Sequence, residues 1–280
     1  MSTVTRRLAA AITTSPLLTA VLAVALAAVS ALIPSFAIAG DGVGTKPTVV
    51  LVHGAFAESA SWDKVASRLL ARGYTVVAAA NPLRSVKGDG AYVAALLDSI
   101  AGPVILVGHS YGGNVITVAA TGKSNVKALV YVAGLAPDVG ETAAALSGRF
   151  PGSTLGGTLA TPVVLADGSK DLYIQHDKYH AQFAADVPAP ESKSMATTQR
   201  PITEAALNEP AASAAWKTIP SWFLYGSKDK NIPPAAHAFM AARAGAKEVV
   251  QVPGASHVVM ISHPDVLVKL IDHAAAQAAL

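Results

Sequence analysis

The stretch Val107–Gly113, which reads VGHSYGG, places a G-x-S-x-G pattern between two different sequence patterns. Before it, Gly102–Val107 is a short apolar run bounded by Gly and Pro, which is typical of a buried strand. After it, Asn114–Ala120 can continue as an apolar helix. Glycine on both sides of Ser110 permits close backbone contacts that a side chain would block. The pattern predicts a strand–turn–helix elbow that lifts the Ser110 hydroxyl above the edge of a sheet.

A serine hydroxyl becomes a nucleophile only with a base within hydrogen-bond reach and a third group to orient that base. On an elbow of this kind, the acid and then the histidine follow the serine along the chain. Asp229 lies in a turn just after the strand-like run Ser221–Tyr225, and His257 follows the strand-like run Lys247–Val252. The order and placement of these residues predict that Ser110, Asp229 and His257 form a catalytic triad.

Two other residues are alternatives for the acid and the base. Asp138 follows the predicted strand Ala128–Val132 and is the rival acid. His263 is the rival base, but Pro264 comes next, which favours a position at the start of the last helix.

Backbone amides must stabilise the negative charge that develops on the carbonyl oxygen of the substrate. One donor is expected to be the amide of Tyr111, directly after the nucleophile. The other is expected from the loop after the first strand, where we predict Ala55, with Phe56 as the alternative. His53 is interpreted as a structural member of the same His-Gly turn.

From residue 47 onward, strand-like and helix-like runs alternate, which predicts an α/β fold with a parallel sheet and helices on both faces. The strand-like runs are apolar throughout, as expected where both faces of a sheet are buried. The predicted strands are 48–53, 74–79, 103–108, 127–132, 219–225 and 247–252. The predicted helices are 61–72, 89–101, 111–121, 235–244 and 264–278.

The alternation stops over residues 136–217, which are rich in Pro, Gly, Ser and Thr and hold helical candidates at Asp177–Ala185 and Thr203–Leu207. An insertion of this length is seldom inert, and its position predicts a small cap over Ser110. Apolar and aromatic residues of the cap, with Phe56, are the candidate walls of a substrate pocket. They are Phe56, Leu172, Tyr173, Phe183, Met195 and Trp216.

The first 39 residues have the pattern of a secretory signal peptide. Arg6 and Arg7 precede a long apolar stretch, Leu17–Ile33, and the small-x-small site Ala37–Ala39 precedes Gly40. We therefore expect export to the periplasm or the medium, with residues 40–280 as the mature α/β domain. The alternative is an uncleaved membrane anchor, because the apolar stretch is long for a signal peptide. The sequence does not distinguish the general export route from the twin-arginine route.

Charge and composition argue against several other classes of protein. Residues 1–39 contain two arginines and no acidic residue, so their removal lowers the formal net charge from +3 to +1. No basic cluster follows, so nucleic acid and anionic membranes are not expected partners of the mature chain. The chain has no cysteine, which excludes disulfides and a thiol nucleophile. No Walker A loop or metal-binding motif is present, and we expect no cofactor or metal.

Five motifs occur in order from about residue 47 to the end, and together they resemble the α/β-hydrolase superfamily. They are Val50–Ala55, Ser61–Trp62, Gly108–Gly113, Gly226–Asp229 and Gly254–His257. More narrowly, the chain is similar to the small-cap branch that contains plant methylesterases, hydroxynitrile lyases and many bacterial esterases. The six predicted strands would be a reduced form of the usual eight-stranded sheet. The resemblance implies the same triad, and oxyanion donors at Ala55 and Tyr111.

The resemblance implies a hydrolase of small uncharged or aromatic carboxylic esters, acting through an acyl-enzyme without a cofactor. Lyases of this branch carry Thr and Lys where this chain has Gly54 and Val258, which argues against lyase activity. Acyl transfer, perhydrolysis, lactone or amide hydrolysis, and a small-molecule-binding relative with little turnover remain as alternatives. The sequence leaves the oligomeric state open.

Overall fold

The computed structural model describes residues 46–278, and a six-stranded sheet in which all strands are parallel forms the centre of this region. The sheet is built, in chain order, from β1 Thr48–Val52, β2 Thr75–Ala79, β3 Val104–His109, β4 Val126–Val132, β8 Ser221–Gly226 and β9 Glu248–Val252. The order across the sheet is β2-β1-β3-β4-β8-β9. All six predicted strands are therefore confirmed, and no strand end differs from the prediction by more than two residues.

The four inner strands form the core, and every residue of β3 is buried. The two edge strands differ from the expectation that all strands are buried on both faces. Val249 in β9 is 46 % exposed, and Thr75 and Ala78 in β2 are exposed as well. Each edge strand has a neighbour on one side only, so the helix layers do not cover it completely.

Helices cover both faces of the sheet. They are α1 Asp63–Ala71, α2 Val86–Asp98, α3 Gly112–Ala119, α8 Pro234–Arg243, α9 Val259–Ser262 and α10 Pro264–Gln277. The chain passes from β1 to β2 on one side of it, and then crosses back to β3 on its other side. Because the crossovers are right-handed, this change of direction puts α1 on one face of the sheet and α2 and α3 on the other. α10 packs against α1, while α2 packs against α3. The predicted doubly covered parallel sheet is confirmed.

The long segment between β4 and β8 forms the predicted cap. It contains the helices α4 Ala143–Gly148, α5 His176–Phe183, α6 Ala189–Thr198 and α7 Glu204–Asn208, and the strands β5 Val163–Val164, β6 Lys170–Leu172 and β7 Ile202–Thr203. The two predicted cap helices correspond to α5 and α7. The antiparallel sheet β5-β6-β7 was not predicted, because strands of two or three residues are too short to show a periodic pattern.

Two side chains outside the cap attach it to the rest of the domain. Arg84 donates to Asp171 Oδ1 of β6 at 2.5 Å and to the carbonyl oxygen of Pro201 at 2.8 Å. Lys64 of α1 forms an ion pair with Glu191 of α6 at 2.7 Å. These contacts hold the cap at the carboxyl edge of the sheet, where β3 delivers Ser110.

The N-terminal predictions lie outside the described residues. They are the signal peptide at residues 1–39, the alternative membrane anchor, and the start of the mature domain at residue 40. Within residues 46–278, no helix is both long and apolar enough to span a bilayer.

Candidate active site

Ser110 lies between β3 and α3 with a backbone φ of +53°, a conformation that is strained for a residue with a Cβ atom. Its backbone is held by hydrogen bonds from its amide to the Val132 carbonyl oxygen and from the Leu135 amide to its own carbonyl oxygen. Gly112 permits the turn to pack, because a Cβ there would lie 2.4 Å from the carbonyl oxygen of Val52. The sequence-predicted elbow is the geometry that the structure shows.

Asp229 and His257 form a buried pair at the carboxyl edge of the sheet. Asp229 follows β8, His257 follows β9, and Asp229 Oδ2 lies 2.7 Å from His257 Nδ1. Both side chains are fully enclosed. Because β8 and β9 are parallel neighbours, their C-terminal loops meet, and this brings together two residues that are 28 positions apart.

The Asp229 carboxylate accepts four hydrogen bonds. The amides of Asn231 and Ile232 donate to Oδ1 at 2.8 and 3.0 Å, and Oδ2 contacts both His257 and His237, the latter at 3.2 Å. Burial by itself would raise the pKa of Asp229. The attraction of His257 and the hydrogen bonds from both histidines outweigh burial and hold the pKa well below its ordinary value. Asp229 is therefore an anion at neutral pH.

The second ring nitrogen of His257, Nε2, is buried and has no hydrogen-bond partner among residues 46–278. The structure therefore does not join the Ser110 hydroxyl to His257 by a hydrogen bond. His109, which directly precedes Ser110, packs against His257. The two ring centroids are 4.9 Å apart, and His109 Nε2 lies 3.2 Å from the carbonyl oxygen of His257. Hydrogen bonds of this kind are often long in the absence of substrate.

A cavity of about 310 Å³ opens beside Ser110, and we call it the Ser110 cavity. Its lining includes both residues predicted as oxyanion donors, Ala55 and Tyr111. Their amides make no hydrogen bond within the described part of the chain, so they are free to bind an oxygen atom of a ligand. The Phe56 amide instead donates to the carbonyl oxygen of Arg200 at 2.9 Å. That contact removes Phe56 as the alternative donor.

A model of the "Alpha/beta hydrolase family" matches residues 49–270. The chain belongs to the alpha/beta hydrolase family. The similar proteins include "Alpha/beta hydrolase nvfD" from Aspergillus novofumigatus (strain IBT 16806), which is 28 % identical over 83 % of this chain and 98 % of its own length.

Solved structures with the same fold include two named as esterases. Polyneuridine aldehyde esterase superposes with a TM-score of 0.71 at 17 % identity, over 81 % of this chain and 99 % of its own. The methylesterase MES16 from Arabidopsis gives a TM-score of 0.65 at 19 % identity, over 82 % and 99 %. The resemblance inferred from the five motifs is confirmed.

The walls of the Ser110 cavity in this α/β-hydrolase are largely different from those predicted. Of the six residues predicted as walls, only Phe56 lines it. The other walls come from the cap and from the loop after Asp229, and none is charged. They are Leu135, Ala143, Ala144, Ser147, Gly148, Ser153, Leu155, Gly156, Leu159, Leu207, Asn231 and Ile232.

The other predicted wall residues have structural contacts elsewhere. Trp216 donates to the carbonyl oxygen of Pro137 at 2.7 Å, and the Arg243 guanidinium lies over its ring. Phe183 packs its ring against His257, at 5.1 Å between centroids. Leu172 is buried in β6, and Tyr173 follows it with its carbonyl oxygen bonded to the Ala160 amide. Met195 lines a second cavity under the cap.

The rival acid and the rival base lie outside this arrangement. Asp138 is on the surface and forms an ion pair with Lys217 at 2.5 Å. His263 precedes Pro264 at the start of α10, as expected, and its Nδ1 lies 2.9 Å from Ser262 Oγ. Neither residue contacts Asp229 or His257.

His53 is buried in the His-Gly turn that carries Ala55. Its Nδ1 donates to the Gly54 carbonyl oxygen at 3.0 Å, and its Nε2 accepts from the Asn81 amide at 3.2 Å. Burial lowers the pKa of His53 to about 4, so the ring is neutral at pH 7. Both nitrogens are engaged with the backbone, in agreement with the structural interpretation of this residue.

Two residues of the site carried no functional signal in the sequence. His237 is on α8, eight positions after Asp229, and His109 precedes Ser110. Burial, and then the nearby His257, hold the pKa of His109 well below its ordinary value. A histidine on an apolar helix usually has a structural role. Only its contact with Asp229, seen in the structure, distinguishes His237 from such a residue. No group of three or more His, Asp or Glu side chains within residues 46–278 is placed to hold a metal ion.

Proposed function

We propose that this α/β-hydrolase is a serine hydrolase of small carboxylic esters. The observation that carries the proposal is the meeting of three features at one edge of the sheet. Ser110 lies on a strained elbow, the unbonded amides of Ala55 and Tyr111 line the same cavity, and the anionic Asp229 holds His257. This combination fits nucleophilic attack on a carbonyl group.

In the proposed reaction, Asp229 accepts from the Nδ1–H of His257, which leaves a lone pair on Nε2. Nε2 takes the proton of the Ser110 hydroxyl as the serine oxygen forms a bond to the ester carbonyl carbon. The carbonyl oxygen becomes an oxyanion and accepts from the Ala55 and Tyr111 amides, each of which supplies about 3 kcal/mol by analogy with measured oxyanion donors.

The intermediate collapses when the bond to the alcohol oxygen breaks and His257 Nε2 protonates that oxygen. The acyl group is then esterified to Ser110. Water attacks the acyl-enzyme with His257 again as the base, and the carboxylic acid and free Ser110 are regenerated. Asp229 stabilises the imidazolium in both halves of the cycle and remains ionised.

The Ser110 cavity supports a small, uncharged substrate. A volume of about 310 Å³ is at the lower end of the range for small-molecule sites. Its lining has no Asp, Glu, Lys or Arg, so no side chain there would offset the cost of desolvating a charged substrate. Two structural neighbours are named as esterases, which supports an ester as the substrate.

A second candidate function is small-molecule binding with little turnover. It is favoured by one observation, the missing hydrogen bond between Ser110 and a His257 ring that is completely buried. Acyl transfer and perhydrolysis would use the same groups with a different acceptor of the acyl group, and lactone or amide hydrolysis would use them with a different leaving group. Repeated turnover separates catalysis from binding, because a binding protein would give at most one acylation burst.

The test is steady-state hydrolysis of p-nitrophenyl acetate, butyrate and octanoate by the purified full-length chain, and in parallel by the chain without residues 1–39. Ser110→Ala is expected to abolish turnover and to leave the thermal unfolding curve intact. Ser67→Ala, which removes an exposed hydroxyl on α1, is the matched control and should retain full activity. Activity that survives in Ser110→Ala would refute the assignment of the nucleophile.

A further inference from the structure

A second cavity of about 370 Å³ lies between α1, the 3-10 turn Ser59–Trp62 and the cap helices α5 and α6. We call it the cap cavity. Its apolar lining includes Phe56, Ala57, Ala60, Tyr179, Met195 and Ile261. The carboxylate residues Glu58, Asp63 and Glu191 also line it, and its one lysine, Lys64, is paired with Glu191.

Phe56 is the one residue that lines both the cap cavity and the Ser110 cavity. Its backbone φ is +59°, which is strained for a residue with a bulky side chain. Two cap contacts hold it there, because its amide donates to Arg200 and its carbonyl oxygen accepts from the Tyr179 hydroxyl at 2.7 Å. Strain maintained by surrounding contacts is typical of ligand clamps and switch positions.

The cap cavity lies on the His257 side of the site. The Phe183 ring packs edge-on against Phe56, at 6.2 Å between centroids, and also against His257, at 5.1 Å. Ile261, which lines the cap cavity, is in α9, four residues after His257. Contacts between aromatic rings therefore connect Phe56, in the lining of the cap cavity, through Phe183 to His257.

We propose that the cap cavity is the subsite for the alcohol part of the ester, and that rotation of the Phe56 ring joins it to the Ser110 cavity. This inference rests on the proposed esterase function. In that reaction the alcohol oxygen must face His257 Nε2, which protonates it as it leaves. An alcohol on that oxygen therefore extends toward the side of the site where the cap cavity lies, while the acyl group occupies the Ser110 cavity.

The lining of the cap cavity indicates which alcohols it accepts. Aromatic and aliphatic side chains suit an alkyl or aryl group, and burial of each methylene contributes about 0.8 kcal/mol. Glu58, Asp63 and Glu191 in the lining disfavour an alcohol that carries a carboxylate or phosphate. The substrate class is thus an ester of a bulky uncharged alcohol with a small acyl group.

The experiment compares two series of esters with the full-length chain. One series varies the alcohol (ethyl, butyl, hexyl and octyl acetate), and the other varies the acyl group (ethyl acetate, butanoate, hexanoate and octanoate). Straight-chain alcohols leave with similar intrinsic reactivity, so changes in kcat/KM report binding in the transition state. Product formation is followed by gas chromatography.

Met195→Trp places a bulkier side chain in the cap cavity and reduces its volume. Ala60→Phe narrows the cavity from an exposed position, and it keeps the test valid if the first variant does not fold. We expect either variant to lower kcat/KM for octyl acetate relative to ethyl acetate by about tenfold or more. The ratio of ethyl octanoate to ethyl acetate should stay within about twofold of wild type. Thr197→Trp, which adds the same ring to the exposed face of α6, is the matched control and should leave both ratios unchanged.

Unchanged alcohol ratios in both cavity variants would overturn the subsite, and so would a loss confined to the acyl series. In either case Ser110-dependent hydrolysis of ethyl acetate would leave the proposed function standing. If the folded wild-type protein hydrolysed no ester in either series, the proposed function and the subsite would both be wrong.

Discussion

Asp229 and His237 are joined by a buried contact of 3.2 Å between Oδ2 and Nε2, on the same oxygen that contacts His257 at 2.7 Å. The His237 ring is stacked on Tyr225, with 4.9 Å between centroids. Its other nitrogen, Nδ1, is buried and has no partner within the described residues. A proton on Nε2 lets the ring donate to Asp229. The two histidines therefore share one carboxylate oxygen of Asp229.

The first prediction concerns this shared oxygen. His237→Phe keeps the stack on Tyr225 and removes one of four donors to Asp229. The His237 hydrogen bond helps to hold the pKa of Asp229 low, so without it that pKa rises and the carboxylate is less firmly fixed beside His257. We expect kcat to fall about tenfold and the acid limb of the kcat/KM profile to move to higher pH, measured with p-nitrophenyl acetate.

A purely structural His237 would change thermal stability and leave the pH profile in place. The variant His237→Gln supplies an amide donor at a similar reach and should restore most of the wild-type profile. If His237→Phe and wild type had superimposable pH profiles, His237 would have no positioning role.

The second prediction concerns the close approach between the His-Gly turn and Ser110, the proposed nucleophile. A Cβ at Gly54 would lie 2.6 Å from the Cβ of Ser110 and 2.7 Å from the carbonyl oxygen of His109. Gly54→Ala must therefore displace the elbow, and we expect kcat/KM to fall about 100-fold because small displacements of reacting groups are costly. The free energy of unfolding should fall by about 1–3 kcal/mol, measured by urea denaturation.

The matched control is Gly157→Ala in the cap, where an added Cβ would have no neighbour within 4 Å. This variant should change neither kcat/KM nor the free energy of unfolding. Wild-type activity in Gly54→Ala would mean that the turn can yield without moving Ser110.

The third prediction separates the side chain of Tyr111 from its amide. The Tyr111 hydroxyl donates to Asp89 Oδ2 at 2.9 Å, and the carboxylate also accepts from the Arg84 amide. Burial raises the pKa of Asp89, so the loss of a donor leaves a buried carboxyl less well satisfied. Tyr111→Phe should cost about 1–3 kcal/mol of stability by urea denaturation.

The amide of Tyr111 is retained in this variant, so kcat should stay within about tenfold of wild type. Tyr92→Phe removes the hydroxyl of a half-exposed tyrosine on α2 and is expected to be neutral in both assays. A loss of activity in Tyr111→Phe as large as that of Ser110→Ala would contradict a role confined to the backbone.

The fourth prediction concerns stability in mild acid. In the unfolded chain His53 binds a proton near pH 6.5, whereas in the folded protein burial lowers its pKa to about 4. Between these values the unfolded state binds more protons, so the free energy of unfolding falls as the pH is lowered. His53 alone accounts for a loss of roughly 3 kcal/mol across this interval.

Urea denaturation at pH 7.0, 6.0, 5.0 and 4.5 measures this slope. In His53→Gln the slope should be smaller, although buried His109 adds a contribution of the same sign. Protonation of His53 also breaks its acceptor bond with the Asn81 amide. A slope that is the same in the variant and in wild type would show that His53 is not the titrating group.

Local patterns in the sequence predicted the central fold. Each inner strand is an apolar run that ends in Gly, Pro or a turn. The spacing of apolar residues and the turn-forming residues that flank them are enough to recognise such elements. Ser110 was predicted because its elbow is encoded within seven consecutive residues. Asp229 and His257 were predicted as candidates because parallel strands deliver their following loops to one edge. The sequence also predicts oxyanion donors at Ala55 and Tyr111, and the structure shows both amides unbonded at the cavity.

The edge strands and the cap show where local patterns were insufficient. Whether β2 and β9 are covered depends on neighbours elsewhere in the chain, so their apolar sequence did not reveal their exposure. In the cap, residue type alone did not distinguish side chains that line the Ser110 cavity from side chains that pack the cap against the core. Phe183 and Trp216 are enclosed by Phe56, His257 and Arg243 and do not reach the Ser110 cavity.

The sequence by itself determined the six-stranded parallel sheet, the elbow at Ser110 and the order of the candidate catalytic residues, because each depends on neighbours within a few positions. Only the tertiary structure decided that His237 shares Asp229 and that Phe56 separates two cavities. The Tyr179 hydroxyl reaches the Phe56 carbonyl oxygen across 123 positions of sequence. Such contacts depend on how the cap packs on the sheet, and the packing of distant segments leaves no periodic trace in the local sequence.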